Sequence, residues 1–157
     1  MQFLENDLER IRSVADYQFG RGVGKTLFPK QVEIIRSRRT GRIRYVYLDD
    51  KRLVTMRPTD GLFSLSIAGA KRIAERSAEC LVMAKNGVSE FVAGGSDVFA
   101  VHVVEADDEI RAKDEVIVID ESREVLAVGR ALLSGEEMKA FKRGVAVKVR
   151  RGVMEES

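Results

Sequence analysis

The chain has 157 residues, of which 45% are hydrophobic and 33% are charged, with 27 Lys and Arg against 25 Asp and Glu. This composition is typical of a soluble globular protein that builds one core or two small ones. No apolar run approaches the length of a membrane span, and the acidic start MQFLENDLER does not resemble a signal peptide. A single cysteine, Cys80, excludes an internal disulfide and a cysteine-rich zinc site. We therefore expect a cytoplasmic protein with no metal, cofactor or membrane association.

The charge is distributed unevenly along the chain. Residues 1–78 carry 16 Lys and Arg against 9 Asp and Glu, a net charge of +7, whereas residues 79–157 carry 11 against 16, a net charge of −5. The second half is itself divided, because 105–124 is acidic and 139–151 is basic. We expect a basic surface that meets phosphate groups and an acidic one that is turned away.

Residues 2–16 predict an amphipathic helix that ends near Tyr17. Its apolar positions recur at helical spacing and draw one stripe along the helix. They are Leu4, Leu8, Ile11 and Ala15.

The segment Phe19–Thr26, FGRGVGKT, invites comparison with a phosphate-binding loop. That loop needs four residues between its first glycine and the Gly-Lys-Thr, but Gly20 leaves three. We therefore predict a glycine loop that turns after the first helix. Its backbone N–H groups could still contact an RNA phosphate.

Residues 31–57 predict a three-stranded meander whose first hairpin is rich in arginine. The arginines are Arg36, Arg38, Arg39, Arg42 and Arg44. Alternation places Arg36 and Arg38 on one face of their strand. It places Arg42 and Arg44 on one face of the next strand. Two interpretations stay open: a solvated hairpin tip, or a patch that contacts phosphate groups.

A second helix is predicted from Ser66, which can cap it, to about Glu79. Its buried side should carry Ile67, Ala70, Ile73 and Ala74. This helix closes the first domain.

The last third of the chain contains four apolar runs, VFAVHVV, EVIVID, EVLAVGRALL and VAVKVR. Val, Ile and Phe dominate them, which favours strands, and their close spacing predicts a largely antiparallel small barrel. A short strand at Leu81–Met83 and a helical turn at Val88–Val92 should precede them. His102 falls in the middle of the first run, where we assign it a structural role.

Short motifs in these segments carry a family resemblance. IRAKDEVIV, LAVGRALLS and KRGVAVKV resemble the PUA domain of RNA-modifying enzymes. The stretch from ADYQFGRGVGKTLFP through RPTDGLF resembles the domain before PUA in archaeal tRNA-guanine transglycosylases and archaeosine synthases. The resemblance implies an α+β fold, with a small pre-PUA α/β domain over 1–78, a PUA-type β pseudo-barrel over 79–152 and a tail over 153–157.

The same resemblance implies where RNA would bind, against a glycine loop and the last strands. The matching positions in this chain are Gly94, Gly95, Ser96, Gly129, Arg130, Lys142, Arg143 and Lys148. The arginine hairpin adds Arg36, Arg38, Arg42 and Arg44 as candidates. Glycines let a sugar-phosphate backbone approach closely, and Lys and Arg supply the salt-dependent part of affinity.

No motif for catalysis is present, since the sequence contains neither a nucleophile elbow nor HExxH. We therefore expect a non-catalytic protein that binds tRNA or another structured RNA by shape and backbone contacts, as an accessory subunit in tRNA modification. The alternative is an interaction module that docks an RNA-modifying enzyme or a ribosomal component, which the acidic band at 105–124 favours. A third interpretation is an enzyme that acts on its own.

Overall fold

The computed structural model describes residues 2–155, with side chains from residue 6 onward. The chain separates into two compact units, a first unit of Met1–Ser77 and a second unit of Ala78–Ser157. Both combine helices with a sheet, which confirms the expected α+β class. Among the described helices, none combines the length and the apolar character that crossing a bilayer requires.

The first unit has a four-stranded antiparallel sheet whose strands lie in sequence order. Its helices are α1 Gln2–Phe19, α2 Val23–Leu27 and α3 Ile67–Ala74. Its strands are β1 Glu33–Arg36, β2 Ile43–Leu48, β3 Lys51–Met56 and β4 Phe63–Leu65. In the core the rings of Phe28 and Phe63 pack in a T-shaped arrangement, with 5.5 Å between their centroids. Such aromatic pairs contribute stability beyond their buried area.

Helix α1 buries the apolar stripe that its periodicity predicts. Ile11 and Ala15 are buried and Leu8 is half-buried, while the side chain of Leu4 lies outside those that the structure describes. The helix runs to Phe19, slightly beyond the predicted end, because that side chain is also buried.

The glycine segment after α1 is not the open loop that we expected. Val23 and Leu27 are buried apolar residues, so the segment folds into the short helix α2 against α1. A Cβ at Gly24 would lie 2.3 Å from the carbonyl oxygen of Arg12, and only glycine permits that approach. The N–H of Gly24 donates to Asp16 Oδ1 at 2.7 Å and is no longer available to a phosphate.

The turn between β1 and β2 differs from the predicted alternation. Strand β1 ends at Arg36, and the turn closes through hydrogen bonds from Ser37 N to the Arg42 oxygen and from Gly41 N to the Ser37 oxygen, both 2.8 Å. Arg38 lies in this turn and Arg42 precedes β2. Their assignment to strand faces was therefore wrong, because residues in a turn do not follow the two-residue period of a strand.

Helix α3 begins as predicted. The Ser66 side chain accepts a hydrogen bond from Gly69 N at 3.1 Å, which satisfies one of the free donors at the helix start. The buried residues include the predicted set of Ile67, Ala70, Ile73 and Ala74. The helix ends at Ala74 rather than near Glu79, because Glu75 and Arg76 are exposed and offer no apolar face to bury.

The second unit has a six-stranded sheet that curls into a nearly closed pseudo-barrel in the order β6-β10-β9-β8-β5-β7. Its strands are β5 Leu81–Ala84, β6 Val98–Phe99, β7 Val103–Ala106, β8 Glu115–Ile119, β9 Val125–Ala131 and β10 Val145–Gly152. Its helices are α4 Ser89–Ala93 and α5 Gly135–Ala140. All pairs are antiparallel except β5 with β8, whose long connection permits the parallel arrangement.

The first apolar run of the last third is not one strand, as we had predicted. A 3-10 turn, Ala100–His102, separates β6 from β7, which form opposite edges of the sheet. The chain must change edge at this point, and the N–H of Ala100 donates to the Gly144 oxygen at 2.9 Å. His102 therefore lies in the turn and not in the middle of a strand. Its ring is nearly perpendicular to that of Phe99, with 6.3 Å between the ring centroids.

Two short elements occupy segments for which the sequence analysis predicts no regular structure. The polar segment before β10 contains α5, whose start is a capping box formed by Ser134 and Glu137. The predicted tail begins with a 3-10 turn, Val153–Glu155. Residues 156–157 of that tail lie outside the described residues.

Candidate nucleic-acid interface

Arg130 and Lys148 are neighbours on one face of the second unit. They lie directly opposite each other in β9 and β10, and both side chains are exposed. Directly opposed residues in an antiparallel pair point to the same side of the sheet, with Cβ atoms about 5 Å apart. The structure thus places these two predicted RNA contacts next to each other.

A third cation on β10, Arg150, is fixed by a buried carboxylate. Its guanidinium donates from Nη1 to Glu115 Oε1 at 2.8 Å and from Nη2 to Glu115 Oε2 at 2.5 Å. The Glu115 side chain is 1% exposed and that of Arg150 is 41% exposed. Glu115 lies opposite Arg130 in the neighbouring strand pair.

Lys142 and Arg143 are exposed in the turn between α5 and β10. Strand β10 begins only at Val145, so Lys148 lies within the strand while Lys142 and Arg143 precede it. The predicted cations are therefore distributed over β9, β10 and the turn before β10, and do not belong to one element. This distribution suits an extended polyanion better than a single small anion.

The glycine loop Gly94–Ser96 follows α4 and lies beside the end of β10. Gly95 has a φ of 107°, which L side chains rarely adopt. After the loop, Asp97 Oδ1 accepts a hydrogen bond from the N–H of Val149 at 2.9 Å, which ties the loop to the strand.

Two carboxylates border this loop and weaken it as a phosphate site. One is that of Asp97. The other belongs to Glu155, whose Oε1 accepts a hydrogen bond from Gly152 N at 2.7 Å. A Cβ placed on Gly95 would lie 2.8 Å from the same Oε1 atom. The negative charge of Glu155 thus lies next to Gly95, where the resemblance places a phosphate, and it would repel that phosphate.

Gly129 has a packing reason to be glycine. It is buried, and a Cβ there would lie 2.2 Å from the carbonyl oxygen of Lys148. The close approach of β9 and β10 at this point explains the residue without any RNA contact. The predicted contact of Gly129 with RNA stays a prediction.

The first unit contains a cleft of about 850 Å³ that is lined by six arginines. They are Arg10, Arg36, Arg39, Arg42, Arg44 and Arg57. The structure therefore brings together three of the four predicted hairpin arginines, Arg36, Arg42 and Arg44. The fourth, Arg38, is exposed in the turn and does not line the cleft.

Some of these arginines are already bonded within the unit. Arg36 donates to Asp7 Oδ1 at 2.6 Å and to the Gly41 oxygen at 2.7 Å. Arg57 pairs with Asp60 at 3.1 Å. These bonds fix the guanidinium groups of Arg36 and Arg57 in the lining of the cleft.

Arg44 instead interacts with a tyrosine. Its Nε donates to the hydroxyl oxygen of Tyr45 at 3.0 Å, and its guanidinium carbon lies 5.3 Å from the ring centroid. The hydrogen bond and the charge of Arg44 lower the pKa of the Tyr45 hydroxyl. Tyr45 is half-buried, so the ring belongs to the surface of the sheet more than to the core.

Four residues of these two surfaces were missed by the sequence analysis. Arg10 and Arg57 reach the cleft from α1 and from the β3–β4 turn, and no local pattern links them to the hairpin. Glu115 and Arg150 are 35 residues apart, and only strand register brings them together. Within the described residues, no group of three or more His, Cys, Asp or Glu side chains could hold a metal ion.

A curled six-stranded sheet that follows a small α+β unit is the architecture of a PUA-domain protein, and residues 81–153 match the PUA domain family. Residues 9–79 match the family described as the patch-forming domain C2 of tRNA-guanine transglycosylase. The chain therefore carries the C2 and PUA domains in that order, which confirms the resemblance drawn from its motifs.

Curated relatives align with almost the whole of this chain. A tRNA-guanine(15) transglycosylase of Methanothermobacter thermautotrophicus is 46% identical over 94% of this chain and 23% of its own length. That of Pyrococcus furiosus is 45% identical over 96% of this chain and 26% of its own length. The chain thus spans about a quarter of the length of the relatives it matches.

Solved structures agree with the fold. A hypothetical protein of Pyrococcus horikoshii OT3 superposes with a TM-score of 0.77 at 25% identity, covering 96% of this chain and 92% of that one. A conserved PUA domain protein of Thermoplasma acidophilum superposes with a TM-score of 0.69 at 21% identity, covering 98% of this chain and 92% of that one. The fold therefore occurs in chains of similar size.

Proposed function

We propose that this chain is a non-catalytic RNA-binding protein that holds tRNA, or another folded RNA, through its sugar-phosphate backbone. The observation that carries the proposal is a set of exposed cations on β9, on β10 and in the turn before β10 of a PUA domain. It consists of Arg130, Lys142, Arg143 and Lys148. Cations distributed in this way can neutralise several phosphates and release their counterions, which provides affinity without reading bases.

The comparisons support tRNA as the RNA in question. The relatives at 46% and 45% identity are named tRNA-guanine(15) transglycosylases, and this chain matches about a quarter of each. We infer that the chain binds tRNA while a catalytic part performs the modification. That part is either a separate subunit or another segment of the same polypeptide.

Binding of unmodified tRNA to the full chain across salt concentration tests this function. We expect the logarithm of the association constant to fall linearly with the logarithm of salt concentration. Lys142→Glu with Arg143→Glu should weaken binding by about tenfold or more, because two attractive contacts become repulsive. Lys71→Glu with Lys85→Glu makes the same charge change at exposed positions outside β9, β10 and the turn before β10, and serves as the control.

A flat salt response, or no binding at micromolar protein, contradicts the proposal. Equal loss in both double variants also contradicts it, because only the net charge of the chain would then matter.

The second candidate function is that of a module which docks another protein. It is favoured by apolar side chains exposed on the second unit: Phe91 is 68% exposed, Met154 69% and Phe99 48%. Exposed aromatic residues are enriched in protein interfaces. Capture of partners from cell extract with and without nuclease separates the two functions, since a partner retained after nuclease treatment is held by protein contact.

A further inference from the structure

The arginine cleft of the first unit is surrounded by cations from three separate segments. Arg10 comes from α1, Arg39 and Arg42 from the β1–β2 turn, and Arg57 from the β3–β4 turn. The cleft volume of about 850 Å³ lies in the range of ligand sites. An occupant would therefore be contacted from several sides and not from one flat face.

The cleft carries more positive charge than its own carboxylates balance. Asp7 pairs with Arg36 and Asp60 with Arg57. Within residues 6–155, no carboxylate lies within 4 Å of Arg10, Arg39 or Arg42. Like charges held this close repel one another, and a bound polyanion would relieve that repulsion.

Guanidinium groups suit phosphate because their planar donors bind two oxygens at once. The lining also includes apolar atoms of Ile43, Met56 and Pro58, but among the described lining residues there is no aromatic ring. The cleft therefore offers guanidinium groups for contact with phosphates but no aromatic side chain for stacking with bases.

The limited volume of the cleft, about 850 Å³, favours a strand of RNA over a double helix. A double helix is a broad convex rod that proteins contact across its shallow groove and phosphate ridges. A single strand can enter a basic groove that follows its backbone. Resting on the RNA-binding function proposed above, we propose that this cleft binds the phosphates of a single-stranded or unpaired RNA segment, separately from the β10 surface.

The test uses the full chain with two probes, a single-stranded RNA of about eight nucleotides and an RNA duplex of equal length. The length of the single strand lies within the range of known single-strand binding sites. We expect Arg39→Glu with Arg42→Glu to weaken single-strand binding by about tenfold and to change duplex binding by less than about threefold. The matched control is Lys71→Glu with Arg76→Glu, an equal charge change at exposed basic residues that do not line the cleft.

Each outcome separates this inference from the proposed function. If the chain binds tRNA and duplex but not the single strand, the cleft proposal is overturned and RNA binding stands. Equal weakening of both probes by the cleft variant also overturns it, as does equal weakening of single-strand binding by the control. If no RNA binds, both proposals fail.

Discussion

Glu115 on β8 and Arg150 on β10 form a bidentate ion pair, in which a buried carboxylate fixes an arginine at the surface. Bidentate pairs of this kind are stronger and more directional than single charge contacts. Because Arg150 lies shortly after Lys148 on β10, the pair orders a segment that carries one of the proposed RNA contacts. The carboxylate therefore contributes to the proposed interface without touching RNA.

Replacement of Arg150 by alanine should lower the free energy of unfolding by about 2 kcal/mol or more, because it removes two charge-assisted bonds from a buried carboxylate. Arg151→Ala, at an exposed neighbouring position, should change it by no more than about 0.5 kcal/mol. Urea denaturation measures both. Adding Glu115→Gln to Arg150→Ala should recover part of the loss, and no recovery would contradict the role of the buried charge.

Arg130 and Lys148 should act together on RNA affinity. Replacing both with alanine should make the salt dependence of tRNA binding shallower by about 1.5 units of logarithmic slope, since each phosphate contact contributes about 0.7 to 0.9. Lys71→Ala with Lys85→Ala provides the control, because these exposed residues belong to neither β9 nor β10. If the slope of the salt dependence is unchanged when Arg130 and Lys148 are replaced, these two residues do not contact RNA phosphates.

Gly129 should be required for stability. In Gly129→Ala the new Cβ would lie 2.2 Å from the carbonyl oxygen of Lys148, so β9 and β10 must separate. We expect a loss of about 1–3 kcal/mol in the free energy of unfolding, as for other overpacked sites. Gly87→Ala meets no atom within 4 Å and is the matched control. Similar stability of the two variants would show that the strands adjust freely.

Cys80 should resist alkylation in the folded protein. Burial raises the pKa of its thiol, and the nearby carboxylate of Asp107 raises it further. At pH 8 the folded thiol is therefore protonated, and iodoacetamide should label it far more slowly than in urea. Since the folded pKa lies above the unfolded one, this group's contribution to stability is present below about pH 8.5 and decreases as the pH rises above it. Rapid labelling of the native protein would contradict its burial.

Local sequence signals predicted much of the fold. The helix at the start, the hairpin strands, the Ser66 cap and the late strands all follow from periodicity, β-branched composition and capping chemistry, which act within a few residues. The capping box of α5 was also present in the sequence as Ser134 and Glu137, but the sequence analysis did not predict that helix. These features required no knowledge of distant contacts.

The errors occurred where packing overrode the local pattern. The glycine segment folds into α2 because Val23 and Leu27 are buried against α1. The run that contains His102 breaks because the chain must pass from one edge of the sheet to the other. Neither event has a signal within the segment itself.

By itself, the sequence determined the secondary structure of most segments, the family of both domains and the residues available to bind phosphate, since these depend on residue type and short spacing. Only the tertiary structure decided which cations share a surface. It joined Arg10 and Arg57 to the hairpin arginines, and it set Glu115 beneath Arg150. The physical reason is that strand register and helix packing bring together residues that are far apart along the chain.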